Sequence, residues 1–261
     1  MQRLSIIIPA HNEEKRIGKM LEAYSEYFEN LRKNRELDYE FIVVINNTTD
    51  RTENIVREFQ RKNKRINYLN LLKGGKSYAV LEGFKYSLNR ENELIGFVDA
   101  DMATPPESFY ELIKSIGTYH AAIASRSHPK SKVKTSLKRK IFSKGFNFGV
   151  RASLMMPYRD TQCGAKLFKR NVVNEIVKNP PYSQWAFDVE LIYNLGKKGF
   201  LIREIPTIWS DESHSNINLK KVPVQMFSSV VRLRLVNSPF RFIVRAYDKL
   251  PSSLKGIFEE Q

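Results

Sequence analysis

Leu94-Ile95-Gly96-Phe97-Val98-Asp99-Ala100-Asp101 sets a run without polar side chains directly against two acids one residue apart. A short, non-alternating apolar run of this kind reads as a strand buried on both faces. In an extended chain, residues i and i+2 point to the same side. The carboxylates of Asp99 and Asp101 therefore surface together at the end of that strand. Such a pair can face one hard cation, and such cations bridge protein carboxylates to substrate phosphates. The same triplet also occurs in acidic turns, or as a cap for a following helix, here expected near Pro105-Pro106-Glu107.

Working outward, the flanking segments repeat one plan. Ser5–Pro9 is a strand entering a loop, and residues 14–31 have helical spacing, with Ile17, Met20, Leu21, Tyr24 and Phe28 at intervals of three and four. Residues 40–45 form a second buried strand ending in Asn46-Asn47-Thr48-Thr49-Asp50, and residues 52–63 a second helix. Residues 66–72 form a third strand, followed by Gly74-Gly75 and a helix through Val80, Phe84 and Leu88. Helices alternating with buried strands predict parallel βαβ units covered on both faces, a mostly parallel α/β sheet. Ligands of such sheets bind at the carboxyl ends of the strands. Those ends are polar at residues 10–13, 46–50, 74–77 and 99–104, and four in succession make a nucleotide-sized site.

Beyond residue 120 the chain changes character. Residues 121–125 read as another strand, 138–156 as a basic amphipathic segment, 187–195 as a helix carrying Asp188 and Glu190, and 222–250 as a basic amphipathic tail bracketed by Pro223 and Pro239. The net charge of +15 is concentrated: residues 126–170 hold 13 Lys or Arg against the single acid Asp160, and residues 220–245 hold six and no acid. Blocks of one sign call for a polyanionic partner. The basic residues alternate with large apolar ones and no nucleic-acid-binding signature is present, which favours an anionic membrane surface over nucleic acid. One cysteine, Cys163, excludes an internal disulfide framework and fits a reducing compartment. The first residues have too short an apolar core for a signal peptide, and no run approaches a spanning helix. The expected location is cytoplasmic, peripheral to the cytosolic face of a membrane. Attachment falls to residues 138–156 with Phe146, Phe148, Leu154 and Met155 dipping in, to the tail, to an integral partner, or to a homodimer formed through the tail.

The order Ile8-Pro9-Ala10-His11-Asn12-Glu13, Val43-Val44 with Thr49-Asp50-Arg51-Thr52, Gly75-Lys76 with Ala79-Val80, then Asp99-Ala100-Asp101 resembles family 2 glycosyltransferases of GT-A (Rossmann-like) fold. The second half, Arg159–Phe168 followed by Trp185-Ala186-Phe187-Asp188-Val189-Glu190-Leu191, is similar to dolichyl-phosphate glucosyltransferases, with dolichol-phosphate mannosyltransferases as relatives. The resemblance implies one domain over residues 1–236. Residues 1–125 would be its nucleotide- and metal-binding half and 126–236 its acceptor half, followed by a tail over 237–261. It implies an inverting transfer of a hexose, glucose from UDP-glucose or mannose from GDP-mannose, to a polyprenyl (dolichyl) phosphate. A catalytically inactive membrane-surface scaffold is the alternative outside enzymes.

The implied cofactor is Mg²⁺ or Mn²⁺, held by Asp101 with Asp99. Asp99 binds the nucleotide or reaches the metal through water. Pro9, His11 and Glu13 line the nucleoside pocket. Asn46 stands where the family carries an acid that accepts from the base, and Lys76 contacts base or diphosphate. Arg126 and Arg139 grip the acceptor phosphate, with Ser143 as a hydroxyl donor. Asp160 aligns the acceptor, touches the metal or pins a neighbouring Arg. Gln162 belongs to the floor near the sugar, and Trp185, Asp188 and Glu190 to the sugar side. At Ser213-His214-Ser215-Asn216 the family's basic lid residue is replaced by Asn216, leaving Lys220 or Lys221 to supply the charge.

Overall fold

The structure is a computed structural model describing residues 1–184, 186–211, 221–242 and 244, with the side chains of 221–226 left aside. The alternating plan is present. β1 (Gln2–Ala10), α1 (Ile17–Lys33), β2 (Leu37–Asn46), α2 (Thr52–Lys62), β3 (Ile66–Leu71), α3 (Lys76–Leu88) and β4 (Leu94–Val98) follow one another, then α4 (Pro106–Ile116) and β5 (Ala121–Ser125). The second half adds β6 (Lys132–Lys134), α5 (Leu137–Leu154), β7 (Ala165–Lys169), α6 (Arg170–Lys178), α7 (Phe187–Lys197), β8 (Ile202–Pro206), β9 (Ile208–Ser210) and α8 (Lys221–Val236).

Seven strands form one sheet in the order β3-β2-β1-β4-β7-β5-β8, with β6 and β9 a separate parallel pair. β1, β2, β3 and β4 run parallel, so their carboxyl ends share one edge. β7 runs antiparallel to both β4 and β5. The sequence reading placed no strand there. Residues 165–169 read as part of a motif, and β7 has no βαβ partner whose period would announce it.

The strands are apolar on both faces because both are covered. Ile6, Ile8, Phe41 and Val43 face a core closed by α1, α2 and α4, where Tyr24, Phe28, Phe41 and Phe109 interlock edge to face. Ile7, Ile42, Val44 and Phe97 face a second core closed by α3, α5, α6, α7 and α8. Each fully buried side chain of this size contributes about 1.5–3 kcal/mol.

The basic segment is α5, capped by Ser136 accepting from the Arg139 amide and ended by Met155 in left-handed conformation (φ 52°). Its apolar residues divide differently from expectation. Val150 and Leu154 are buried and Phe146 packs against the second core, whereas Leu137, Ile141, Phe142, Phe148 and Met155 are exposed. Leu154 and Phe146 therefore hold the helix to the protein. α8 packs against α5 and α7, sends Val230 and Leu233 into the second core and leaves Phe227 exposed. No described helix is long and apolar enough to cross a membrane.

Candidate active site

The four parallel strands end in tightly turned loops. Each loop carries one residue in left-handed conformation: Asn12 after β1, Asn47 after β2, Gly75 after β3 and Met102 after β4. Outside Gly, such a conformation is uncommon and concentrates at functional loops. Asn46 ties three of these loops together. Its amide nitrogen donates to Ala10 O (3.0 Å), its amide oxygen accepts from the Gly75 amide (3.0 Å), and its carbonyl meets His11 Nδ1 (2.8 Å). The residue expected to meet the base is 2 % exposed. Its side chain is occupied as an internal clamp.

Beside the clamp lies a chain of alternating charges. Lys76 Nζ sits 2.7 Å from Asp99 and 3.3 Å from Asp188, and Lys166 Nζ sits 2.6 Å from the other oxygen of Asp188 and 2.7 Å from Cys163 O. Both ammonium groups lie over the Phe97 ring, at 5.7 and 5.2 Å from its centroid. Lys166 is wholly buried, a placement a lysine tolerates only when paired. Burial alone would raise the Asp188 carboxyl, but Lys166 and Lys76 hold it below the ordinary value. Asp99 goes the other way. Burial raises it, with Asp101 and Asp188 adding to the rise against the pull of Lys76.

The carboxylates fit a divalent cation shared with a substrate. Asp99 and Asp101 are hard oxygen donors at one strand end. The backbone beside Asp99 is tailored to it: a Cβ on Gly164 would stand 1.9 Å from Asp99 Oδ2, and the Asp99 amide donates to Gly164 O at 3.1 Å. Among the described residues no cluster of three or more His, Cys, Asp or Glu encloses a metal by itself. Cations held by one or two carboxylates take their remaining ligands from phosphate and water. Asp101 accepts from the Ala103 amide at 3.0 Å, and α4 starts without a side-chain cap. The acids thus do not cap that helix.

The acceptor candidates converge on a second aromatic ring. Arg126 binds Asp160 through Nε (2.7 Å) and Nη2 (2.9 Å), and its amide donates to the same carboxylate at 2.9 Å. Arg139 pairs with Asp211. The two guanidinium carbons lie 5.4 and 5.9 Å from the Trp209 centroid. Asp160 is 0 % exposed and also accepts from the Gln162 amide, while Glu204 receives the Arg159 and Asp160 amides. Burial opposes the Asp160 charge, yet Arg126 holds the carboxyl below its ordinary value. Of the three duties open to Asp160, the structure shows the pinning of Arg126.

Other predicted residues are placed elsewhere or already bound. Glu13 is held by both arms of Arg16 at 2.5 and 2.6 Å. Glu190 accepts from the Tyr182 and Ser183 amides at 3.0 and 2.8 Å, so it shapes the preceding loop instead of facing a sugar. His11 is exposed, Pro9 half-buried, and Ser143 half-buried on α5. Cys163 is buried, its thiol pushed up to about 11, and is no nucleophile. Trp185, residues 213–216, Lys220, the Lys221 side chain and most of the 237–261 tail lie outside the described residues. Sequence reasoning missed Lys166, Trp209, Asp211 and Glu204. Lys166 looked like one more cation of the basic block, and three of the four belong to β7, β8 or β9, whose positions no local periodicity reveals.

A polar cavity of about 430 Å³ lies at the opposite, amino-terminal edge of the sheet. Its groups satisfy one another, Glu40 accepting from Ser5, Asn67 and Asn92, and it lies apart from the clustered acids.

Comparison with known proteins matches this arrangement. Residues 5–177 fit the model of the family described as Glycosyl transferase family 2. The chain is 32 % identical over 241 residues to the dolichyl-phosphate beta-glucosyltransferase ALG5C of Trichomonas vaginalis, covering 88 % of this chain and 70 % of the relative. It is 30 % identical over 229 residues to the human dolichyl-phosphate beta-glucosyltransferase, covering 83 % and 70 %. Among solved structures, the glucosyl-3-phosphoglycerate synthase of Mycobacterium tuberculosis, crystallised with Mn²⁺, uridine diphosphate and phosphoglyceric acid, superposes with a TM-score of 0.66 at 14 % identity, covering 89 % of this chain and 78 % of that one. The fold is thus the GT-A fold that the strand-end motifs pointed to, and the chain belongs to glycosyl transferase family 2 as a glycosyltransferase.

Proposed function

We propose that the chain transfers glucose from UDP-glucose, with inversion, to a polyprenyl phosphate of the dolichyl type at a membrane surface. One observation carries this: the structure holds two charge clusters, each seated on an aromatic ring, one over Phe97 beside Asp99 and one over Trp209. The first offers carboxylates and lysines to a metal-bound diphosphate, the second two arginines to a phosphate monoester. The named acceptor of the relatives, dolichyl phosphate, supplies that monoester.

Asp101 and Asp99 would hold Mg²⁺ or Mn²⁺, which when bound supplies charge stabilisation for the departing nucleoside diphosphate. Lys76, tethered between Asp99 and Asp188, places a positive charge beside the same leaving group. The acceptor phosphate is anionic at neutral pH, so it needs positioning and charge neutralisation more than a strong base. Arg126 and Arg139 provide both, because a guanidinium fork binds two phosphate oxygens together. With Cys163 buried and protonated, direct displacement without a covalent intermediate is the simplest course.

In this reading residues 1–125 serve the donor and 126–236 the acceptor. The exposed row Leu137, Ile141 and Phe148 on α5, continued by Met155 at its cap, lies opposite Val150 and Leu154, flanked by Lys140, Lys144 and Arg151. That is the pattern of a helix lying in the headgroup layer, where each cation contributes about 1 kcal/mol on an anionic leaflet. The chain then works peripherally, on the cytosolic face where nucleotide sugars are supplied.

The test is nucleoside diphosphate release from a panel of UDP- and GDP-sugars with detergent-solubilised dolichyl phosphate and Mg²⁺ or Mn²⁺. Release requiring lipid and metal, strongest with UDP-glucose and absent in Asp101→Ala, is the expected result. Release from GDP-mannose alone would replace the donor. Release independent of the lipid would discard the acceptor.

A further inference from the structure

Strand β9 is three residues long, yet it touches both halves of the site. Its backbone is pinned on one side to the metal-binding loop, Ser210 donating to Ala103 O at 3.0 Å, two residues after Asp101. On the other side Asp211 donates to Lys134 O at 3.0 Å, next to the start of α5. Ile208 is fixed to Ser108 at the head of α4 by a 3.0 Å bond from its amide to the hydroxyl. Alternation along an extended chain sends residues 209 and 211 to the same side. That side faces the arginines: Trp209 lies under both guanidiniums and Asp211 pairs with Arg139. The indole is 9 % exposed and packed into the first core, so it is a fixed surface.

Two guanidinium groups beside one ring repel each other, and each also has a carboxylate pulling it elsewhere. What they share is the indole ring, the aromatic system that attracts cations most strongly. Among the described residues Arg126 uses Nε and Nη2 on Asp160, and Arg139 uses Nη1 on Asp211. Further N–H groups of each fork remain for a ligand.

We propose that Trp209 is the positioning residue of the acceptor site: its indole sets the separation and tilt of Arg126 and Arg139 so that their remaining N–H groups converge on one phosphate. This rests on the assignment of the phosphate-bearing acceptor to these arginines. Trp209 touches neither donor nor acceptor phosphate in this arrangement and acts through the two side chains above it.

The experiment compares wild type, Trp209→Phe and Trp209→Leu, with donor and acceptor varied separately and farnesyl phosphate as the soluble acceptor probe. Trp209→Leu should raise the acceptor KM about tenfold while the donor KM stays within about twofold. Trp209→Phe, which keeps an aromatic face, should restore most of the loss. A second measurement reads the Trp209 indole in a Trp185→Phe background, because the chain holds two tryptophans: farnesyl phosphate should change the intrinsic fluorescence there, and no change despite acceptor turnover would overturn the proposal. An unchanged acceptor KM in Trp209→Leu, or equal increases in both KM values that Phe does not rescue, would overturn the proposal. If Trp209→Leu fails to fold, the decision passes to Trp209→Met, of similar bulk and without an aromatic face, where an unchanged acceptor KM overturns it. Wild type that neither turns over nor responds with any phosphate acceptor overturns the acceptor assignment along with Trp209. Turnover in wild type with an indifferent Trp209 overturns Trp209 alone.

Discussion

Phe97 and Trp209 each underlie a pair of cations, and the pairs are of different kinds. On the side proposed for the donor, two lysines lie over Phe97, linked through a shared carboxylate, Asp188. On the side proposed for the acceptor, two arginines lie over Trp209, each with its own carboxylate, Asp160 or Asp211. An ammonium is a compact charge that can pass between oxygens, whereas a guanidinium is a planar fork that fixes direction. The donor side therefore suits a ligand that arrives with a metal and leaves with a changed charge. The acceptor side suits one group of fixed shape.

The comparison breaks most visibly at its acids. Asp101→Ala should lower turnover by about 10³-fold at saturating metal, measured as diphosphate release, because Asp101 is the acid proposed to meet the metal directly. A fall below tenfold would mean that the charge stabilisation lies elsewhere. Asp160→Ala should instead show itself in stability. Removing one partner of a buried pair leaves Arg126 uncompensated and costs about 3 kcal/mol in denaturant unfolding. The pH dependence follows with its sign. The Asp160 carboxyl is held below its ordinary 3.8, so the pair's contribution is complete above about pH 4 and is lost as pH falls through the lower folded-state value. Acid unfolding of Asp160→Asn should accordingly be shallower than that of wild type, and identical curves would remove the pair from the account.

Gly164→Ala sharpens the donor side, since the new methyl would stand 1.9 Å from Asp99 Oδ2. Moving that carboxylate by an ångström should cost about 10²-fold in turnover with a melting temperature near wild type. A collapse of stability instead would make the glycine a packing residue. The smallest effect belongs to the α5 surface. Phe148→Ser removes one exposed ring, so partition onto anionic vesicles should weaken by about 1 kcal/mol, roughly fivefold, with detergent-phase activity unchanged. Unchanged partition would move the contact surface to α8 or the tail.

The two sides also differ in how much of them the sequence shows. Asp99, Asp101, Lys76 and the loops after β1, β2 and β3 are legible because a parallel strand carries its signature locally: an apolar run, a polar end and a helix behind it. Asp188 is legible through the helix that bears it. The acceptor side is assembled from β5, α5, the loop before β7 and β9, far apart in sequence. Arg126 and Arg139 follow from the resemblance and Asp160 from being the one acid of its basic block, but the ring beneath the two arginines does not, since an isolated Trp on a three-residue strand has no periodicity. Asn46 and Glu190 mislead for the opposite reason. A polar residue near a strand end is as useful to its own backbone as to a ligand, and only geometry tells which.

The position of β7 in the sheet governs how the chain can be made. Among the described residues β5 pairs only with β7 and β8, both later in sequence. Until residues 165–169 emerge, the β1–β4 block ends at an open β4 edge and β5 is an unpaired strand, the two kinds of exposed edge that invite wrong partners. Synthesis therefore leaves about forty residues, α5 with its exposed apolar row among them, to appear before the sheet can close. A ribosome-bound chain stopped short of Ala165 should be protease-sensitive throughout α4 and β5 and should recruit chaperones. One stopped beyond α8 should not.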